Sequence, residues 1–415
     1  MTNEVLQKTA SDEQNVSSSN GLEPLPKLRF LEFKNTYKKT KLNEAVERIQ
    51  RRDPTSEAPV MMLSAASGFI MQSEKYSREN AGQSLKKYIL LRKGELAYNH
   101  GASKYKPFGC CFELKEDEAR IPYVYHCFAV KENNDKSYIA RLLNNQKIDQ
   151  QLKRLISSSV RMDGLLNISY EEYTGIDLYL PSLLEQQKIA DFLFLVDRRI
   201  EKQRQLVESL KKYKRGLVFH LFNKNNPINK SIPMRDLLTE INDRNSVGLR
   251  VCSVAVIKGI VDQIEHLGRS FSASDTSKYR RVHFGDVVYT KSPTGDFPFG
   301  IVKQSKIKED VAVSPLYGVY KPSSYSTGNL LHLYFEQYQY ANNYIRSLAQ
   351  KGAKNTINIT TQHFLEKNII FPYNEVDRVY FSNFFEKLNK LIKFNEGELE
   401  KAQSLKKGLL QQMFI

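Results

Sequence analysis

The chain is predicted to be α+β: a globular domain followed by a long helix, the pair repeated in tandem, with the two helices pairing as an antiparallel coiled coil. Three observations predict this. Blocks of sequence recur at one constant offset. Heptad-spaced apolar seams fill two proline-free stretches. Short β-rich runs broken by turns occupy what precedes each seam.

The offset is 191–192 residues. Gly68, Gln72 and Glu74 correspond to Gly259, Gln263 and Glu265, and Tyr88, Gly94, Glu95 and Tyr98 to Tyr279, Gly285, Asp286 and Tyr289. Pro107-Phe108-Gly109 becomes Pro298-Phe299-Gly300, Asn167-Ile168-Ser169 becomes Asn358-Ile359-Thr360, and Pro181 becomes Pro372. Residues 42–46 match 234–238 in the same way. One offset shared by separated blocks is the mark of a duplication rather than of chance matches.

In chain order, residues 1–25 are rich in Ser, Asn, Gln and Glu and read as a disordered extension. Residues 26–180 form the first domain, with β-rich runs at 88–91, 123–125 and 127–130 and a helical stretch at 139–156. A spacer helix fills 181–222, and 223–230 is a linker around Asn226-Pro227. The second domain, 231–371, has β-rich runs at 251–256, 286–289 and 316–320 and a helical stretch at 328–350; a second spacer helix occupies 372–415.

The helices carry the clearest pattern. Over 185–221 the seam is Ile189, Leu193, Val196, Ile200, Gln203, Val207, Leu210, Lys214, Leu217 and Leu221. The second seam is Phe381, Phe385, Leu388, Ile392, Asn395, Leu399, Ala402, Lys406, Leu409 and Met413. Sustained 3-4 spacing marks a coiled-coil seam. Its polar interruptions coincide, Gln203 with Asn395 and Lys214 with Lys406, so the two amides are expected to meet and fix register. Gly216 and Gly408 also recur, which fits either a close backbone contact or a frayed last turn.

Composition narrows the partner. The 415 residues hold 62 Lys+Arg against 46 Asp+Glu, a net charge of +16, of which 1–222 and 223–415 each carry +8. A polyanion is the first partner to consider. The 23 Tyr and 22 Phe can build sizeable cores although Trp is absent. No apolar run reaches the roughly 18–20 residues that cross a bilayer, and the first twenty residues lack a signal-peptide core. Cys110, Cys111, Cys127 and Cys252 form no CxxC pair and read as free thiols of a reducing cytoplasm.

Catalytic signatures are missing. There is no phosphate-cradling P-loop, no dinucleotide fingerprint, no H-E-x-x-H and no nucleophile elbow, and the seven histidines are scattered. Glu113, Glu116, Asp117 and Glu118, beside Lys115 and Arg120, read as a solvated turn rather than a metal site. What remains is binding chemistry: basic and hydroxyl residues interleaved with aromatics in matched loops. These are Tyr98, Asn99, His100, Ser103, Lys104, Tyr105 and Lys106 in the first domain, and Tyr289, Lys291, Ser292 and Thr294 in the second. Such loops can place Lys on phosphates and Asn, Ser or Thr at base edges. Further candidate phosphate binders are Lys75, Arg78, Lys86, Lys87 and Arg161, then Arg269, Lys278, Arg280, Arg281, Lys351 and Lys354. Ordinary solvated lysines share this pattern.

Pro181-Ser-Leu-Leu-Glu-Gln-Gln-Lys-Ile189, the following helix to Leu221-Phe222, and the matching end Leu405-Lys-Lys-Gly-Leu-Leu-Gln-Gln-Met-Phe414 resemble the specificity (S) subunit of Type I restriction–modification enzymes. The lead-in Pro26-Lys-Leu-Arg-Phe30 and the Tyr88…Tyr98 and Tyr279…Tyr289 elements fit the same family, so the resemblance covers the chain from about residue 25. Two departures stand out. The second copy has Pro372-Tyr-Asn-Glu-Val-Asp-Arg-Val-Tyr380 in place of the Glu-Gln-x-Lys-Ile run, and Tyr37 stands near where the family often has Trp.

The resemblance implies a non-catalytic subunit in which two target-recognition domains each read one half of an asymmetric, split sequence in double-stranded DNA. A helix of 37 residues, about 55 Å long at ~1.5 Å per residue, would set the gap against a duplex turn of about 34–36 Å. It implies two methyltransferase (M) subunits as partners, which use S-adenosylmethionine to methylate adenine, and restriction (R) subunits that use ATP and Mg. No cofactor is implied for this chain, and no membrane. The implied setting is the cytoplasm of a bacterial or archaeal cell, at the nucleoid. Outward helix charges such as Arg198, Arg199, Arg204, Lys390 and Lys393 are candidates for M docking. Alternatives are a specificity module for a system with methylation and cleavage fused in one partner, or a coiled-coil scaffold whose basic domains bind protein or RNA.

Overall fold

The computed structural model describes residues 6–8, 25–75, 82–101, 103, 106–156, 166–268, 275–348, 350–351 and 357–415. The chain divides into two units, Met1–Lys202 with Leu399–Ile415, and Gln203–Glu398.

In the first unit a four-stranded antiparallel sheet runs Val46–Arg48, His126–Val130, Leu96–Asn99, Cys110–Glu113. Beside it lie two-stranded ladders: Met61–Ser64 with Gly68–Met71, Ile89–Arg92 with Glu118–Ile121, and Lys38–Lys41 with Asp177–Leu180. In the second unit the sheet runs Leu238–Glu240, Gly318–Pro322, Val287–Tyr289, Val302–Gln304. Its ladders are Cys252–Ala255 with Gly259–Asp262, Arg280–Val282 with Val311–Val313, and Asn229–Pro233 with Asn368–Pro372. The strand order of the sheet and the pairing of these three ladders repeat, so the duplication is structural; Gln350–Lys351 with Ile357–Asn358 is an additional ladder of the second unit.

Backbone detail repeats too. Gly68 and Gly259, Gly94 and Gly285, and Gly109 and Gly300 all have φ between +73° and +88°, a conformation that only glycine adopts freely. Ser169 caps the helix Tyr170–Thr174 by accepting from Glu172 N, and Thr360 caps Thr361–Glu366 by accepting from His363 N.

The long helices are Leu183–Leu221 and Glu375–Met413. Within the first unit, Ile189, Leu193, Leu409, Met413 and Phe414 share one core, and Lys406 pairs with Asp197 at 2.6 Å. Within the second, Leu210, Leu217, Val218 and Leu221 share a core with Phe381, Phe385, Leu388 and Ile392. There Gln203 Nε2 donates to Asn395 Oδ1 at 2.9 Å and Lys211 pairs with Glu396 at 3.0 Å. In both units the helical segments therefore run antiparallel. Val196, Ile200, Val207 and Leu399 are buried or half-buried along the same seam.

The Glu-Gln run at the start of the first long helix is an internal joint. Buried Glu185 accepts from Arg29 Nε and Nη2, both at 2.8 Å, and from Tyr37 Oη at 3.1 Å. Gln186 Oε1 accepts from Asp135 N at 2.9 Å while its Nε2 donates to Pro181 O at 3.0 Å. In the second unit Arg378 takes the place of Gln186: Nε donates to Pro372 O at 2.8 Å and Nη2 to Tyr373 O at 3.0 Å. The motif is lost there but its tether to the matching proline is kept.

Several expectations need correction. The helical stretch at 139–156 is two helices, Lys136–Leu142 and Gln146–Leu155, because Asn145 caps the second by accepting from Lys147 N. The stretch at 328–350 likewise splits into Tyr325–Glu336 and Tyr338–Ile345. Residues 123–125 form a turn, with Tyr125 N donating to Pro122 O, rather than a strand. A Cβ at Gly216 or Gly408 would meet nothing within 4 Å, so neither marks a close backbone approach, and both helices continue past them. Within the stretch expected to be a disordered extension, Leu6–Lys8 forms a strand against Leu28–Phe30; the rest of 1–24 lies outside the described residues. Among the described residues no helix is long and apolar enough to cross a membrane.

Candidate nucleic-acid interface

In each unit the third strand of the sheet leads into a loop that returns as the edge strand. The neck of that loop is fixed by a tyrosine. Tyr98, 2% exposed, donates to Phe108 O at 2.6 Å and stacks on Tyr173 at 3.8 Å between centroids. Tyr289, fully buried, donates to Phe299 O at 2.8 Å and stacks on Phe364 at 5.0 Å. Both tyrosines, read from sequence as DNA contacts, are therefore core residues that hold the loop shut. Gly109 and Gly300 complete the neck: a Cβ would lie 2.5 Å from Asn99 O in the first and 2.9 Å from Thr290 Oγ1 in the second.

The described polar groups of the first loop are spoken for. Asn99 Oδ1 accepts from Gly101 N at 2.9 Å and its Nδ2 donates to Leu63 O at 3.3 Å. His100 is buried with its ring nitrogens 2.8 Å from Leu166 O and 2.8 Å from Val124 O. Burial pushes the neighbouring His126, 5.0 Å away in a stacked pair, down to about 4. Ser103 Oγ accepts from Lys106 N at 3.0 Å, and Lys106 Nζ donates to Asn144 O at 2.9 Å. These groups shape the loop; His100, read from sequence as a DNA contact, is a buried residue of its base, while Lys106 stays part-exposed with one ammonium hydrogen on Asn144 O. Lys104 and Tyr105 lie outside the described residues.

The second loop is more open. Ser292 is exposed. Thr294 exchanges two backbone hydrogen bonds of 3.0 Å with Phe297, and its hydroxyl donates to Ser292 O at 3.0 Å. Lys291 is half-buried at φ +52°, and burial lowers the pKa of its amine while Glu240 opposes the shift and Arg280 adds to it.

Among the outlying candidates, Lys75, Lys86, Lys87 and Lys278 are exposed, Lys87 lying 6.0 Å from the Tyr123 ring centroid. Arg280 and Arg281 are tied down instead. Arg280 Nη1 donates to Ile241 O at 3.1 Å and to Asn242 Oδ1, and Arg281 Nε donates to Asp310 at 2.8 Å. Arg78, Arg161, Arg269 and Lys354 lie outside the described residues, as does the side chain of Lys351.

Sequence reasoning missed two features. Arg48 lies 4.4 Å from the Tyr170 ring centroid and pairs with Glu171 at 3.1 Å, where the second unit has Glu240 accepting from Thr361. The signal was the charge reversal between matched positions 48 and 240. Ile257, 93% exposed at a hairpin turn, is matched by Ala66; an apolar residue between two β-runs was the available hint.

Matched clefts open beside the helices. One of about 450 Å³ is bordered by Ala65, Ala66, Lys106, Arg141, Asp197 and Lys406, the other, about 400 Å³, by Val256, Ile257, Lys211, Lys214, Arg215 and Lys303. In the first cleft the Ser137 hydroxyl donates to Glu113 at 2.6 Å, and Lys115 pairs with the same carboxylate. Among the described residues no group of three or more His, Cys, Asp and Glu could hold a metal. Three of the carboxylates at 113–118 are engaged instead: Glu113 with Lys115, Asp117 with Lys93 and Glu118 with Arg92. On the helices Arg198, Arg199, Arg204, Lys390 and Lys393 are exposed, interspersed with exposed Phe194, Leu195, Leu391 and Phe394.

Neither a protein-family model nor a curated protein matches the sequence. Solved structures do. The Type I restriction–modification system S subunit from M. genitalium superposes with a TM-score of 0.57 at 11% identity, covering 94% of this chain and 99% of that one. A chain from work on complex assembly and conformational transition of the type I R-M system gives 0.50 at 14% identity, covering 91% and 97%. At this identity the likeness is one of fold, and it spans nearly all of each chain. Two matched domains, each joined to a long helix, thus give this chain the fold of a Type I restriction–modification S subunit.

Proposed function

We propose that this chain is the non-catalytic DNA sequence-specificity subunit of a Type I restriction–modification complex. The observation that carries the reading is the duplication itself: two domains with the same strand order but different loop chemistry, each followed by a helix of 39 residues. Different loops in equivalent places suit two different half-sites, and hence an asymmetric split target rather than a palindrome. The +8 carried by each half of the sequence supplies affinity for phosphates without sequence preference. The mixed charged and apolar outer helix faces suit docking of methyltransferase subunits, since exposed apolar groups rimmed by charge mark protein contacts. Catalysis, with S-adenosylmethionine, ATP and Mg, would then reside in the M and R partners, in the cytoplasm.

Methylome sequencing of a host with and without this chain and its M partner tests the proposal. One split, asymmetric motif should vanish with the gene. Exchanging 40–180 for another recognition domain should change one half of the motif only, and duplicating a heptad should alter the gap or abolish binding. A motif whose two halves changed together would overturn independent readout.

A further inference from the structure

Lys291 is the one non-glycine with positive φ among the described residues. Left-handed backbone costs an L-residue roughly 1–2 kcal/mol, and strain of this kind collects at functional sites. Nearby, where only the turn is needed, the loop uses Gly295 at φ +54° and Gly300 at φ +87°. Position 291 keeps a lysine although a glycine would be relaxed there, so its side chain has a use.

No hydrogen bond or ion pair among the described residues accounts for that use, although Glu240 and Arg280 both act on the amine. Lys291 has no hydrogen-bond or ion-pair acceptor among the described residues. Its counterpart in the first unit, His100, is closed between two carbonyls, and its neighbour Arg280 is committed to Ile241 O and Asn242. The backbone around Lys291 is also stiff. Pro293 restricts Ser292, and Thr294 is bonded to Phe297 in both directions. A phosphate tether needs only a solvated, mobile lysine. A half-buried amine on a rigid, strained turn suits a contact that must be placed.

We propose that Lys291 reads a guanine in the half-site bound by the second unit. This rests on the specificity-subunit reading above. The chemistry selects the base. An ammonium donates and cannot accept, and guanine alone offers two adjacent acceptors, O6 and N7, on its major-groove edge. Adenine sets a donor beside its N7, and thymine has a single acceptor.

The test is methylome sequencing of a host carrying the full chain and its M partner, comparing wild type with Lys291→Met, Lys291→Arg and Lys291→Gly. Lys291→Met should lower methylation of the wild-type motif about 10- to 100-fold and make one guanine, in one half only, degenerate. Lys291→Arg should retain that guanine. Lys291→Gly, which relaxes the turn and so cannot fail through strain, should lose it as Met does. Lys291→Met or Lys291→Gly keeping every base of the motif would overturn the assignment. So would a uniform loss across all sites with a shallower salt dependence, the mark of a phosphate contact. If the wild-type motif did not depend on the chain at all, the specificity-subunit reading would fall first and carry this one with it.

Discussion

Replacing Glu185 with Gln removes one charge from a buried pair and leaves the other in place. Arg29 and Glu185 are 8% and 1% exposed at their side chains, and the carboxylate accepts two bonds of 2.8 Å from the guanidinium and one of 3.1 Å from Tyr37. The amide of Gln accepts at one atom and presents a donor to the guanidinium at the other. Stranding one member of a buried ion pair typically costs about 3–5 kcal/mol. For a unit of this size each kcal/mol is worth about 2–4 °C in Tm, so the unit holding Glu185 should melt roughly 6–20 °C lower. Scanning calorimetry of the full chain should show that transition move while the transition of Gln203–Glu398 stays put. The double variant Arg29→Leu, Glu185→Leu removes both charges and should lose less than the sum of the single variants. A Glu185→Gln chain melting within about 2 °C of wild type would refute the reasoning.

Three further outcomes are expected. Gln203→Leu alone should destabilise by about 1 kcal/mol because it strands Asn395, whereas Gln203→Leu with Asn395→Leu should raise Tm and loosen register, and an unchanged or lower Tm for the pair would count against the amide contact. His126 is held neutral by burial with its pKa pushed down to about 4, so the unfolded chain binds a proton below about 6.5 that the folded chain refuses; stability is full above pH 6.5 and falls between there and pH 4. Denaturant titrations of His126→Phe should show a shallower fall over that window than wild type, and parallel curves would sink the idea. Cys110 and Cys252 are buried with thiols pushed up to about 11, and Cys111 and Cys127 are raised by burial as well, so all four should resist alkylation at pH 8 until the chain unfolds.

The duplication and the helical seams were legible because both are periodic, and period survives divergence. Gly68, Gly94 and Gly109 recur as Gly259, Gly285 and Gly300 since a left-handed turn has one cheap solution, and recurrence exposed them. The loop tyrosines were misread for a related reason. Tyr98 and Tyr289 looked like aromatic readers among basic residues, yet a reader should differ between two copies that bind different bases. A tyrosine kept in both, ten residues before the carbonyl it donates to, is holding structure. The departures at 100 and 291 were the better guide. The tethers of His100 depend on segments brought in from far along the chain, Leu166 and Val124, and no local pattern encodes them. Arg378 is a local case that motif matching still misses, since its tether to Pro372 replaces a glutamine by a different donor.

The first unit is closed by the last residues of the chain, since Leu409, Met413 and Phe414 belong to the core that also holds Phe30 and Tyr138. Gln203–Glu398 is continuous and contains all of its own core. On the ribosome the later unit can therefore finish folding before the earlier one. At roughly 5–20 residues per second, the first unit waits some tens of seconds with an apolar face uncovered. That interval is where a chaperone would act, and where a chain cut short near residue 400 would betray itself to proteases.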